Sequence, residues 1–429
     1  MQPFRVAIAG LGTVGAETAR ILMTDAELLA ARAGRPVVIT AVSARDRSRD
    51  RGVDLSGVDW VEDAAALASR DDVDCVLELI GGSEGVAYDL VLGAVRSGKS
   101  VVTANKALIA HHGSEIAELC ETHDVGLGYE AAVAGGIPII KSVREGFAGN
   151  RIGRIYGILN GTCNYIMTVM RETGRAFEDV LADAQRLGYA EADPSFDVDG
   201  IDAAHKLAIL SALAFGHHVD FENVHVEGIR HVSPLDISFA EELGYRIKLL
   251  GIAEQTGDGV QQRVHPCMVK ADTPIGQVEG VFNAVVAEGN AVGTTLSYGR
   301  GAGAGPTASA VLADVIDLAA NRKVPVFGLH SSQLSPARTA PVSALSSCYY
   351  LRLMVIDRPG VLADVTAVFR DHGVSVEAMI QRVRNPEEPV PLVLTTHETP
   401  ELQIRASIEE LARLDAVTEE PRLIRIEEF

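Results

Sequence analysis

An apolar run from Phe4 to Ala9 leads straight into Gly10-Leu11-Gly12-Thr13-Val14-Gly15, and no other stretch restricts the fold as tightly. A strand that breaks into G-x-G-x-x-G and continues with a helical apolar period must turn sharply. It must also bring its backbone close to whatever it faces and hold the next helix tight against the sheet. These demands fit the first unit of an open parallel sheet whose helix N-terminus holds a pyrophosphate. Gly10, Gly12, Thr13, Val14 and Gly15 are therefore expected dinucleotide contacts, with a helix predicted from Thr13 to about Arg32.

Val37 to Ser43 reads as the second strand. A binder of the unphosphorylated cofactor usually carries an acid there for the ribose hydroxyls. Here the strand ends in Ser43, Ala44 and Arg45, with Arg47 and Arg49 close by and Asp46 flanked by arginines. This favours a 2'-phosphate, so NADP(H) is expected, with Arg45 as a contact and NAD(H) as the alternative. Further buried strands are predicted at Asp72–Ile80 and Ser100–Thr103, and the second delivers Lys106 to the sheet edge where ligands bind. His111 and His112 read as exposed positions at the start of the next helix.

A strand over Val125–Tyr129 is followed by Glu130-Ala-Ala-Val133-Ala-Gly135-Gly136-Ile137-Pro138. Residues this small let carbonyls point inward around a cofactor ring or a hard cation, and composition does not choose between them. After a strand over Ile152–Ile158, Cys163 is either a thiol nucleophile or a small buried packing residue. With no histidine near it in sequence, packing is the better reading. Helix Phe177–Leu187 then opens into an acidic, Pro-punctuated loop holding Glu191, Asp193, Asp197 and Asp199. The apolar pattern resumes at Ile201, so Asp202 and Lys206 share one helix face and can pair. A lysine on the apolar side of such a helix is a candidate proton donor; a structural ion pair beside a solvated loop is the competing reading.

Strand character is expected over Val224–Leu235, and over Gln262–Lys270 with one face in solvent. A helix and then a strand are expected over Phe239–Glu254, and Val281–Glu288 with Ala291–Tyr298 reads as a hairpin. Together these predict an antiparallel sheet with helices that supplies substrate contacts and a subunit interface. The glycine-rich Tyr298–Thr307 loop follows, with Thr307 expected to cap a helix over Ala308–Ala320 that returns to the first domain. Ser331–Ser347 reads as a linker. Beyond it, strands and helices alternate as βαββαβ, with a turn at Asn385-Pro386, which is a ferredoxin-like unit.

The formal charge of −20 makes nucleic acid an unlikely partner. No apolar run is long enough to span a membrane, and the N-terminus goes directly into a strand, so neither a signal peptide nor a membrane segment is predicted. Five cysteines without metal or disulfide spacing fit a reducing compartment, so the cytoplasm is expected.

GLGTVG, TANKALIA at 103–110, NGTCNYI at 160–166, GYAEADPSFDVDGIDAAHK at 188–206 and GRGAGAGPTASAV at 299–311 together resemble homoserine dehydrogenase. LRLMVIDRPGVLADVTAVFRDHGVSV at 351–376 resembles the ACT regulatory domain, and the monofunctional form, without a kinase domain in front, is expected. The resemblance implies NAD(P)-dependent interconversion of L-homoserine and L-aspartate 4-semialdehyde, on the route to threonine, isoleucine and methionine. It implies Lys206 as proton donor, Lys106 beside it, Asp202 holding Lys206 charged, Glu191 on the substrate amino group and Asp197 lining the pocket. Gly303 joins the cofactor contacts, and the carbonyls of Glu130, Val133, Gly135 and Ile137 match a sodium-type cation site. Since the lysine must accept the proton in reverse, homoserine oxidation is expected to improve at alkaline pH. A threonine effector at the ACT unit and a homodimer or homotetramer are also implied.

The expected architecture is α/β. A Rossmann-type nucleotide-binding domain spans 1–132, completed by a helix at 308–328. An α+β catalytic and dimerisation domain spans 133–307, and a 331–347 linker leads to a βαββαβ ACT domain at 348–429.

Overall fold

The computed structural model describes residues 2–382 and 388–429. Its first sheet has six strands in the spatial order Asp59–Trp60, Val37–Ser43, Phe4–Ala9, Cys75–Glu78, Ser100–Thr103, Leu127–Gly128, all parallel. The order reverses on either side of Phe4–Ala9, which places the glycine turn at the switch point where open α/β sheets bind ligands. Gly10 has φ +95°, and a Cβ there would lie 2.4 Å from the Leu79 carbonyl oxygen. At Gly15 a Cβ would lie 1.9 Å from the Gly10 carbonyl oxygen, so the helix can seat on the strand only without a side chain.

That helix is shorter than predicted. It runs Thr13–Thr24, breaks at Asp25 and restarts as Ala26–Ala33, which ends at left-handed Gly34. Aspartate competes poorly inside helices, and the break turns Leu29 and Ala33 onto the core shared with Phe4, Val6 and Val37. The same core receives Val311, Leu312 and Val315 from a helix that begins and ends elsewhere than expected, at Ala304 and Ala319. Thr307 therefore sits inside the helix, and Gly303 precedes it. Pro306 is tolerated because an N–H in the first turn has no helical acceptor to lose. The predicted extension to 328 fails at Asn321, whose φ of +56° leaves the helical region.

The second sheet runs Gly293–Arg300, Phe282–Gly289, Ile152–Ile158, Tyr245–Thr256, Gly259–Lys270, Arg422–Ile426, Ser346–Val355, Val390–Thr396, Val376–Ile380. The hairpin Phe282–Gly289 with Gly293–Arg300 pairs antiparallel as expected. The strand Gly259–Lys270, expected over Gln262–Lys270 to face solvent on one side, is buried from Gly259 to Val269. Of its polar residues, Arg263 and His265 are covered by the terminal unit, which joins the sheet at Cys267↔Arg425 and Met268↔Ile426 and brings Glu427 to both, while Gln261 Nε2 donates to the Pro341 carbonyl and Gln262 Nε2 to that of Asp220. The expected strand over Val224–Leu235 reduces to His225–Val226. The rest turns into the helix Pro234–Glu242, started by a capping box between Ser233 and Asp236.

The four long strands of the terminal unit lie in the order Arg422–Ile426, Ser346–Val355, Val390–Thr396, Val376–Ile380, with helices Val361–Asp371 and Glu401–Leu411. The expected Asn385-Pro386 turn lies outside the described residues. The linker is docked: Thr339 bridges to Val260 and Ser335 to His217, and the first strand of the unit already starts at Ser346. Among the described residues no helix is long and apolar enough to cross a membrane.

Candidate active site

The strand Ile152–Ile158 ends in Leu159 and Asn160, and Asn160 caps the helix Gly161–Thr173 by accepting from Cys163 N at 2.8 Å. Opposite lies the helix Ile201–Phe215, with buried Asp202 in its first turn and Lys206 one turn later. Lys206 Nζ donates to Asp202 Oδ2 at 2.7 Å and to the Leu159 carbonyl at 2.7 Å. Lys106 opens its own helix, Lys106–Thr122, at the C-terminal end of strand Ser100–Thr103, and its Nζ lies 3.1 Å from Asp202 Oδ1. One buried carboxylate thus holds two ammonium groups. Asn160 Nδ2 completes it, donating to Asp202 Oδ2 and to Asp197 Oδ1 at 2.8 Å each.

Burial alone would push the Asp202 carboxyl upward, but Lys206 and then Lys106 outweigh it and hold the group well below the ordinary carboxylate range. Half-buried Asp197 moves the other way, raised by burial and by the neighbouring charge of Asp202. Both ammonium groups of this cluster border open space. That space is a cleft of about 620 Å³, lined by Lys106, Lys206, Asp202, Asp197, Glu191 and Gly303 among others. A second cleft of about 480 Å³ runs along Gly10, Leu11 and Gly12 to Arg45, Arg49 and Arg51. The two meet at the glycine turn, since Val14 lines the first cleft. A dinucleotide laid over the turn would reach the lysines at one end and the arginines at the other.

Profiles of known families match three consecutive segments: the homoserine dehydrogenase NAD-binding domain at 10–130, homoserine dehydrogenase at 138–316, and the ACT domain at 349–416. Homoserine dehydrogenase of Neisseria gonorrhoeae is 45% identical over 433 residues, covering 100% of this chain and 99% of the relative. The chain belongs to the homoserine dehydrogenase family. Homoserine dehydrogenase of Pseudomonas aeruginosa is likewise 45% identical, over 436 residues and 100% of both chains. The crystal structure of the Thiobacillus denitrificans homoserine dehydrogenase superposes with a TM-score of 0.94 at 45% identity, covering 100% of this chain and 99% of that one. A hyperthermophilic archaeal homoserine dehydrogenase in complex with NADPH gives a TM-score of 0.63 at 28% identity, over 74% of this chain and 98% of its own.

Within this homoserine dehydrogenase fold the expected site residues fall into three groups. Lys106, Lys206, Asp202 and Asp197 share one bonded cluster. Glu191 is exposed and lines the same cleft without bonding to either lysine, while its carbonyl accepts from Gln185 Nε2 at 3.0 Å. The Glu130, Val133, Gly135 and Ile137 backbone lies to one side, and only Gly135 reaches the cleft. There Ala134 and Gly135 have φ of +55° and +45°. The Ile137 carbonyl accepts from Ile139 N at 2.7 Å, and that of Glu130 from Val133 N at 3.4 Å. Each of these two oxygens keeps a second lone pair. Among the described residues no group of three or more His, Cys, Asp or Glu could hold a metal.

Cys163 is fully buried, burial pushes its thiol up, and its Sγ donates to the Asp197 carbonyl at 3.2 Å. A thiol held neutral in this way is a packing residue, not a nucleophile. His111 and His112 lie inside the Lys106–Thr122 helix and not at its start; the His111 ring packs edge-on against His205 and Phe221. Two functional positions escaped sequence reading. Asn160 received no role of its own from the sequence, although asparagine just ahead of an apolar helical run signals a cap. Glu78 is buried at the end of its strand, accepting from Thr103 Oγ1 at 2.6 Å and from Ile80 N and Gly81 N, so it shapes the loop that presents Lys106.

Proposed function

We propose that Lys206 is the proton donor to the aldehyde oxygen of L-aspartate 4-semialdehyde, that Lys106 orients substrate and cofactor, and that the enzyme prefers NADPH. The observation that carries the proton-donor reading is the pair of ammonium groups on the single buried carboxylate Asp202. When bound, the reduced nicotinamide supplies a hydride for the aldehyde carbon. Negative charge then grows on the oxygen, and Lys206 and Lys106 stabilise it while Lys206 gives up its proton. Asp202, fixed by Asn160, positions both lysines. Glu191 takes the substrate ammonium and Asp197 lines the pocket.

Gly10, Gly12, Thr13, Val14 and Gly15 would hold the pyrophosphate, with Gly303 closing over it. The NADPH preference rests on the arginines beside Ser43 and on Asp46, whose carboxylate is turned to Ser48 N and Oγ at 2.8 and 2.7 Å. Arg45 and Arg49 line the cleft, and Arg51 Nε donates to the Leu11 carbonyl at 3.2 Å. The carbonyls of Glu130, Val133, Gly135 and Ile137 would hold a sodium-type ion that fixes this backbone. In the ACT unit, Asp357, Arg358, Pro359 and Gly360 line a cavity of about 270 Å³ that fits a small amino acid, for which threonine is the reading. The working form is a cytoplasmic homodimer or homotetramer.

The test is NADPH oxidation with L-aspartate 4-semialdehyde, wild type beside Lys206→Ala, repeated with NADH and with threonine. Loss of roughly 10²–10⁴-fold in the variant is expected, the usual worth of a general acid. Wild-type turnover by the variant would overturn the assignment, equal rates with NADH would remove the NADPH preference, and indifference to threonine would remove the effector.

A further inference from the structure

Asn283 lies in the strand Phe282–Gly289, opposite Gly299, and only 1% of it is exposed. Neither its Oδ1 nor its Nδ2 has a hydrogen-bond partner. A buried amide with both ends unsatisfied is costly, and a bound group that completes it removes that cost. Asn283 lines the cleft that holds Lys106 and Lys206. Two glycines make room for it. A Cβ at Gly301 would lie 2.2 Å from Asn283 Cγ and Nδ2, and one at Gly161 would lie 3.3 Å from Oδ1.

Its neighbours identify the end of the cleft. Gly161 directly follows Leu159 and Asn160, the residues that receive Lys206 and hold Asp202. The amide therefore adjoins the residues that hold Lys206 and Asp202, which places it at the substrate end of the cleft. The 13-residue helix Gly161–Thr173 starts at the same wall, with its first N–H groups and positive dipole end. An anionic group fits there. The geometry points to Asn283 as a substrate-binding residue whose Nδ2 donates to the α-carboxylate of the amino-acid substrate, beside the N-terminus of the Gly161–Thr173 helix. This inference rests on the reading of Lys206 as the group that meets the aldehyde oxygen, because that reading fixes which end of the substrate lies where.

Homoserine oxidation at saturating cofactor, measured for wild type, Asn283→Ala and Asn283→Asp with thermal melts alongside, tests it. The KM for L-homoserine is expected to rise roughly 10- to 100-fold in the alanine variant, the size of a hydrogen bond to a charged group. It rises further in the aspartate variant, which keeps the size but repels a carboxylate. The kcat and the cofactor KM stay within about twofold, as for an interaction made equally in the ground and transition states. An aspartate variant that binds homoserine as well as or better than the alanine variant overturns the carboxylate assignment. A rise in cofactor KM in place of homoserine KM gives the amide to the nicotinamide carboxamide instead. A fall in kcat and melting temperature with KM unchanged makes Asn283 structural. The isosteric aspartate variant decides the matter if the alanine protein does not accumulate. A Lys206→Ala arm separates the two readings: its collapse with an unchanged Asn283 profile sinks this inference alone, and its full activity sinks the site assignment beneath it.

Discussion

Asp202–Lys206 and Glu401–Arg405 are the same motif in two places: a buried acid in the first turn of a helix and a base one turn later. Their surroundings separate them. Around Glu401, Arg425 donates at 2.6 and 3.0 Å and Tyr349 at 2.7 Å. Arg425 also reaches Glu227 at 3.1 Å, and close by Arg263 pairs with Glu427. Three arginines meet three glutamates there, on the seam that welds the ACT unit to the central sheet. Around Asp202 the added partner is a second lysine, and both ammonium groups line a cleft. A network packed into a seam holds domains together, whereas one that borders an open cleft can act on a ligand.

The contrast breaks most sharply at the two bases. Lys206→Met should remove most activity yet leave the melting temperature nearly unchanged, because Lys106 still compensates Asp202; a large loss of stability would make the pair structural. Arg425→Met should do the reverse. Stripping Arg425 from buried Glu401 costs about 3–5 kcal/mol, read from urea unfolding, with kcat of the folded fraction preserved.

His205, beside Lys206 but turned to the His111, Phe196 and Phe221 rings, gives a smaller, pH-dependent effect. Burial, then the nearby His111, pushes it down to about 4, with Asp202, Lys106 and Lys206 also acting on it. The folded protein keeps it neutral while the unfolded chain takes a proton below about 6.5. Its contribution is therefore complete above about 6.5 and is lost as pH falls towards 4, at up to about 1.4 kcal/mol per pH unit. Melting temperatures of His205→Gln should fall less steeply than wild type across that window, and parallel curves would refute the assignment. Asn160→Ala is expected to have the smallest effect, about 1 kcal/mol of stability for the lost cap, with roughly tenfold slower turnover as Asp202 loosens. Unchanged turnover would show that the lysines alone hold Asp202.

The nucleotide-binding half was largely legible because its signals are local. Gly10 and Gly15 are required by contacts within a few residues or with the neighbouring strand, and the parallel strands are continuous apolar runs. The largest misreading lies where distant segments decide. Gln262–Lys270 alternates like a half-exposed strand, yet the chain's own last strand pairs beside it. The Thr307 misreading was local: Pro306 just before it is at home in the first turn of a helix, which sets the start at Ala304.

By itself, then, the sequence determined the glycine turn, the helix face shared by Asp202 and Lys206, and the βαββαβ order of the terminal unit, all properties of short-range spacing. Only the tertiary structure decided that Lys106, almost a hundred residues earlier, reaches the same carboxylate, that Asn160 bridges two aspartates and that Asn283 is buried without a partner. Spacing along a helix says which groups can meet; whether a buried charge is neutralised or left facing a cleft depends on what the rest of the chain packs against it.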